Sequence, residues 1–257
     1  FDLNYRRSAN AGIAEQTWSY LLGAEQLAAL ALTLDYDADQ ARGSDRDDLS
    51  EVWAQETPPY PLDEGGFLRG FVLDLQGRLN LNQLVQGTGE ESADSGTTGA
   101  RAYTPMQRAY VRLLQSLPDV EVDDIEARAI ADATIDWLDE DDEPRLNGAE
   151  SSFYVALEPA YRPANREVNS VSELRAVANM RPEIFESLRH YVTVWPLDGG
   201  QINIHTAPLP VLRALNPDDG LLPLAAARAE AMVQRRLQFP FESIDDFLSN
   251  ENFPGAD

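Results

Sequence analysis

The 257-residue chain contains no cysteine and only two histidines, His190 and His205. Disulfide staples, thiolate catalysis and cysteine-based zinc sites are excluded together. Neither histidine stands in a zinc-helix spacing, and there is no G-x-S-x-G elbow, phosphate loop or G-x-G-x-x-G turn. Most nucleophile-and-base pairs are thereby removed, and an enzyme is not expected. A carboxylate pair can always be found among 44 acids, so that pattern carries no weight. Positive charge is scarce as well: 20 Lys and Arg face 44 Asp and Glu, a net charge of −24. Such a surface repels nucleic acid and anionic lipid and favours cations and basic partners. Long apolar runs are also missing, since no stretch approaches the ~18 residues that span a bilayer. The first residue is Phe1, so a signal or anchor is expected either to have been removed or never to have existed.

What is present suffices for a globular core, with 43% hydrophobic residues. From Ser8 to Leu34, Ile13, Tyr20, Leu21, Ala24, Leu27, Ala28, Ala31 and Leu34 recur at helical spacing, which predicts an amphipathic helix with one buried stripe. It reads equally as a helix lying on a sheet or as the lower half of a pilin-type spine. Thr57-Pro58-Pro59-Tyr60-Pro61 enforces an extended linker. Strand formers from Phe67 to Asn82, broken at Gln76-Gly77, predict a β-hairpin, and Tyr191 to His205, broken at Asp198-Gly199-Gly200, predicts a second. Gly87 to Gly99 is almost devoid of apolar residues and is expected to be a mobile loop. Helical periodicity marks 105–117, 122–138, 171–188, 208–215 and 224–237.

Two motifs bear on chemistry. Asn203 to Leu248 resembles helix-hairpin-helix modules, but its hairpin, Asn216-Pro217-Asp218-Asp219-Gly220, would repel a phosphate through two carboxylates. A packing module is expected rather than a nucleic-acid reader. The sharper motif follows Asp136-Trp137-Leu138. With Asp139 as first position of an EF-hand-like loop, Asp141 is third, Glu143 fifth, the Arg145 carbonyl seventh, Asn147 ninth and Glu150 twelfth. Pro144 stands where the EF-hand has glycine, and Ser151 to Leu157 is a poor second helix. The bland alternative is a solvated acidic loop. Several carboxylates at a helix C-terminus, however, oppose the macrodipole and one another unless a cation neutralises them. Oxygen donors without nitrogen or sulfur suit a structural Ca²⁺ better than zinc or magnesium.

Four stretches together resemble the minor pseudopilin K family of type II (general) secretion systems. They are Gly23-Ala24-Glu25-Gln26-Leu27-Ala28 with Trp53-Ala54-Gln55; Asp74-Leu75-Gln76-Gly77-Arg78-Leu79-Asn80-Leu81-Asn82; Asp136 to Glu150 with Tyr154; and Tyr161-Arg162-Pro163-Ala164-Asn165-Arg166 running into Val171-Ser172-Glu173-Leu174-Arg175. With the Asn203 to Leu248 module they cover most of the chain. The resemblance implies an α+β fold: a pilin-like N-terminal spine helix on a small antiparallel sheet, and a large mainly helical inserted domain. The expected organisation is a spine helix over 1–40, a linker and first hairpin over 41–82, an inserted helical domain with the acidic loop over 83–188, a second hairpin over 189–205 and a helix-hairpin-helix-like module over 206–257. Closing strands would be expected beyond it.

It further implies a structural subunit at the pseudopilus tip, partnered by minor pseudopilins I and J, with secreted substrates as further contacts. That subunit would be periplasmic, held in the inner membrane by an N-terminal helix absent from this chain, and associated with calcium. In such a subunit Trp18 and Leu22, which lie off the main stripe of the spine, are expected to face a partner. The alternative is a stand-alone, calcium-stabilised pilin-type adhesion module.

Overall fold

The computed structural model describes residues 2–43, 46–62, 65–86, 103–197, 199–218 and 220–251. The loop expected at Gly87 to Gly99 lies outside them, as do the closing residues from Asn252. The chain divides into two units, Phe1–Leu73 and Asp74–Asp257.

The first unit is dominated by helix α1, Asp2–Arg42, 41 residues long and so about 60 Å in length. A single 3-10 turn at Val52–Ala54 packs beside it and buries Trp53. Strands β1 (Tyr60–Pro61) and β2 (Phe67–Leu68) form an antiparallel pair. Its turn uses Gly65 and Gly66 at φ of 93° and 94°, a region side chains avoid, and Leu62 N–H donates to the Gly66 carbonyl. The stripe expected on α1 forms only in part and is mostly half-buried. Its covered positions are Gln16, Tyr20, Ala24, Ala28, Ala31, Asp35, Ala38 and Asp39, whereas Ile13, Leu21, Leu27 and Leu34 are at least half exposed. The physical reason is length: one short turn and a two-residue-per-strand hairpin cannot cover a ~60 Å helix. Among the described residues, no helix is long and apolar enough to cross a membrane.

The second unit holds the core. Leu79, Leu81, Leu84, Tyr110, Leu113, Leu114, Ile130, Ile135, Leu138 and Ile184 are all essentially inaccessible and belong to one cluster. The two hairpins expected around Gln76-Gly77 and Asp198-Gly199-Gly200 are replaced by one parallel pairing between them. Strand β3 (Leu79–Asn80) lies beside β4 (Val192–Thr193), with Leu79 opposite Val192. The glycines explain the difference. Gly77 has no left-handed φ; a Cβ there would stand 2.7 Å from Thr206 Oγ1, so it serves close approach and not a turn. Gly199 does take φ 85°, but the returning chain runs to Gln76, whose carbonyl accepts from Asn203 N–H at 2.9 Å. Buried Asn82 completes the junction, donating to the carbonyls of Val168 and Val194 and accepting from Val168 N–H.

Helix α2 (Pro105–Leu114) packs on α3 (Asp124–Leu138) and on α6 (Leu209–Ala214). Thr104 and Gln107 start α2 with a reciprocal cap, and Asp123 caps α3 through Glu126 N–H. Between α3 and α6 lie α4 (Ser151–Val155), a 3-10 turn (Val171–Ala176) and α5 (Pro182–Leu188); α7 (Ala226–Gln238) and α8 (Ile244–Leu248) follow. The loop joining α6 to α7 closes around a buried arginine from α2. Arg112 donates to the carbonyls of Ala214, Asn216, Asp218 and Gly220 and to the Asp218 carboxylate. Helices α2 and α6, from the expected inserted segment over 83–188 and the expected module over 206–257, share one core.

Candidate metal centre

Helix α3 runs through the core until Leu138, so every polar side chain near its end must find a partner or a counter-charge. Asp132 and Asp136, one turn apart, are almost fully buried on the side that meets the following loop. Asp132 accepts from Tyr103 Oη (2.8 Å), Arg145 Nε (3.0 Å), Asn147 N–H (3.2 Å) and Asn147 Nδ2 (3.1 Å). Asp136 accepts from Arg145 N–H at 3.1 Å. The loop crosses Asp136 so closely that a Cβ on Gly148 would lie 1.9 Å from its Oδ2. Only glycine fits there.

Beyond α3, carboxylate oxygens of Asp139, Asp141 and Glu150 converge to within 4.8 Å of one another. Glu150 is 2% exposed, and neither of its carboxylate oxygens has a hydrogen-bond donor. Burial, reinforced by Asp136, Asp139, Asp142 and Asp141, pushes the Glu150 carboxyl up to about 8. Burial likewise lifts Asp136 to about 7, with Asp139 adding to the rise and Arg145 N–H opposing it. Several acids stand at a helix C-terminus, where the macrodipole is also negative. A buried glutamate with no donor among like charges is stable as an anion only beside a cation. The donor set is hard oxygen throughout, and it fits a divalent ion of the calcium type.

Of the six positions expected as ligands, the structure brings Asp139, Asp141 and Glu150 together. Glu143 is exposed, and its N–H caps Asp141 Oδ1 at 2.9 Å. Arg145 and Asn147 are turned to Asp132, and the Arg145 carbonyl accepts from Gly148 N–H. Pro144 accounts for this departure: without a flexible residue at that point the loop does not wind around its own centre as an EF-hand does. Asp132 and Asp136 were not anticipated, although their i,i+4 spacing within an apolar helix was there to be read. An aromatic group backs the site: the Trp137 ring meets Tyr154 at 5.1 Å, and Tyr154 meets Tyr161 at 5.3 Å.

A second acidic group, Asp35, Asp39, Asp47 and Glu51, belongs to the first unit. There Asp39 is paired with Arg42, and Glu51 accepts from Trp53 Nε1 at 2.7 Å and from Asp48 N–H at 3.0 Å. Trp18 and Leu22 project from α1 at 63% and 44% exposure.

Residues 77–197 and 202–257 match the family described as "Type II secretion system (T2SS), protein K". The chain belongs to that family. Type II secretion system protein K of Pseudomonas aeruginosa is 35% identical over 251 residues, covering 96% of this chain and 68% of that protein. The Pectobacterium carotovorum protein is 32% identical, covering 90% and 66%. The chain thus spans about two thirds of the length of these relatives. A chain in the crystal structure of the GspK-GspI-GspJ complex from enterotoxigenic Escherichia coli shares the fold, with a TM-score of 0.75 and 25% identity over 98% of this chain and 80% of that one. A mainly helical protein with small two-stranded sheets is common to both.

Proposed function

We propose that this chain is the periplasmic part of a minor pseudopilin, a structural subunit seated with pseudopilins I and J at the tip of the type II secretion pseudopilus. There it initiates assembly and supports export of folded proteins, anchored by an N-terminal helix in the inner membrane. The observation that carries this reading is α1. Leu3, Ile13, Trp18, Leu21, Leu27 and Leu30 are all at least half exposed, a density of apolar side chains that a free helix in water does not keep without a purpose. A helix of this kind serves as a pilin-like spine, its apolar side chains covered by neighbouring helices in the assembly. The likeness to a chain of the GspK-GspI-GspJ complex supports I and J as those neighbours.

The acidic site takes a structural calcium ion in this reading. All its protein donors are oxygens fixed by the fold, as suits an ion that stabilises a structural subunit. The stand-alone adhesion module has no support among the relatives described above. Co-purification with the I and J pair tests the proposal: a stable ternary complex is expected, and elution of the three as separate species at micromolar concentration would refute it.

A further inference from the structure

Arg236 shares the inner face of α7 with the buried Ala229 and Met232 and is only 8% exposed. Its Nη1 uses both protons on backbone, donating to the carbonyls of Ile204 at 2.6 Å and Ala207 at 2.7 Å. These bonds account for the direction of the side chain but not for its charge. Arginine stays protonated in a protein, and a buried one is ordinarily paired. The chain keeps to that rule elsewhere: Arg112 meets Asp218, Arg145 meets Asp132, and the neighbouring Arg235 meets Asp246. Among the described residues Arg236 meets no carboxylate. Burial lowers the pKa of its guanidinium below the usual value, and no nearby charge offsets the effect. The donors that remain lie on one edge. Nε–H points to the same side of the planar group as Nη2, the fork that grips a carboxylate through two parallel bonds. Nε is shut off from water and meets no acceptor. Nη2 meets none either but is not shut off, so it is the way in.

We infer that Arg236 is a receiving site for a carboxylate that none of the described residues supplies, bound through Nη2 on the Nε edge of the guanidinium. The Ile204 and Ala207 carbonyls hold the group in place before a ligand arrives, so little side-chain freedom is lost on binding. A carboxylate there also relieves the cost of a buried charge without a counter-charge. Its source is an acidic side chain of a partner protein or a free carboxylate, which the experiment separates.

The test is nuclear magnetic resonance of the whole nitrogen-labelled chain, following the Nε–H signals of Arg236 and Arg112 as sodium acetate replaces sodium chloride at constant ionic strength. Arg112 Nε already donates to the Gly220 carbonyl at 3.1 Å and is the internal reference. The net charge of −24 repels anions at long range, so saturable uptake reports a specific site. The Arg236 signal is expected to move along a saturating curve while that of Arg112 does not move. The rise in Tm in acetate over chloride is expected to vanish in Arg236→Met. That variant also loses the bonds to Ile204 and Ala207; should it fail to fold, the titration of the wild-type chain decides alone. Adding the I and J pair to the labelled chain identifies the source. A shift confined to the Arg236 signal assigns the site to a partner's carboxylate, and no shift beside a saturating acetate curve assigns it to a free one. An acetate response that is linear or equal at the two arginines, with no response to the I and J pair, would overturn the inference, as would an undiminished acetate increment in Arg236→Met.

Discussion

Replacing Glu150 by glutamine separates an ion ligand from an ordinary buried residue, because the two roles give opposite signs in metal-free protein. The Glu150 carboxyl sits at about 8 against an ordinary 4.5. Below 4.5 the folded and unfolded chains both carry its proton, and nothing is lost. Between 4.5 and 8 the unfolded chain ionises while the folded one does not, so metal-free stability falls as pH rises. At pH 7 the loss is about 3 kcal/mol, from 1.36 kcal/mol per unit over about 2.5 units; at pH 5 it is under about 1 kcal/mol. Glu150→Gln carries no such penalty and nearly the same shape. In chelator it should therefore be more stable than wild type at pH 7, by up to about 3 kcal/mol less any packing cost. In saturating calcium the order should reverse, since wild type gains binding energy that the variant cannot. Urea denaturation at pH 5 and 7, with calcium and with chelator, reads both signs. Equal destabilisation by the substitution in chelator and in calcium at pH 7 would refute the argument.

Gly148→Ala should lower stability by about 1–3 kcal/mol, because the added carbon lands on Asp136; a melt within a degree of wild type would show that the loop yields freely. Arg112→Met should cost about 3–5 kcal/mol by urea denaturation, since it strips the donor from buried carbonyls between Ala214 and Gly220. A loss below about 1 kcal/mol would mean that water replaces it without cost. Trp18→Ala with Leu22→Ala should weaken calorimetric affinity for the I and J pair at least tenfold while leaving the melt of the free chain unchanged, both side chains being exposed already. Unaltered affinity would place the partner face elsewhere on α1.

The helices were legible where apolar spacing marked them, as over 105–117 and 122–138, which hold α2 and α3. The strands were not, because glycine has two uses that look alike in sequence. Gly65 and Gly66 supply left-handed turns, whereas Gly77 makes room for Thr206. In the acidic loop the residue types pointed to the chemistry, but their order assumed an EF-hand path. The chain instead lays Arg145 and Asn147 on Asp132. Local spacing could not disclose that Asn165, from a separate segment with a left-handed backbone, braces the Asp141 carbonyl. On α1 the pattern identified a helix and overstated its cover, since nothing in periodicity says how much chain is left to pack against it.

The junction of β3 with β4 has a consequence for the order in which the chain folds. Asn82 and Val194, which it brings into contact, are 112 residues apart. Closing a flexible loop of that length costs about 4 kcal/mol in chain entropy, more than two residue pairs and one asparagine return. The junction therefore forms after the intervening helices have condensed and shortened the loop. Nucleation falls to local contacts such as α2 against α3. Substitutions at Asn82 should then speed unfolding and leave the refolding rate nearly untouched, whereas those at Leu113 or Ile130, buried on α2 and α3, should slow refolding.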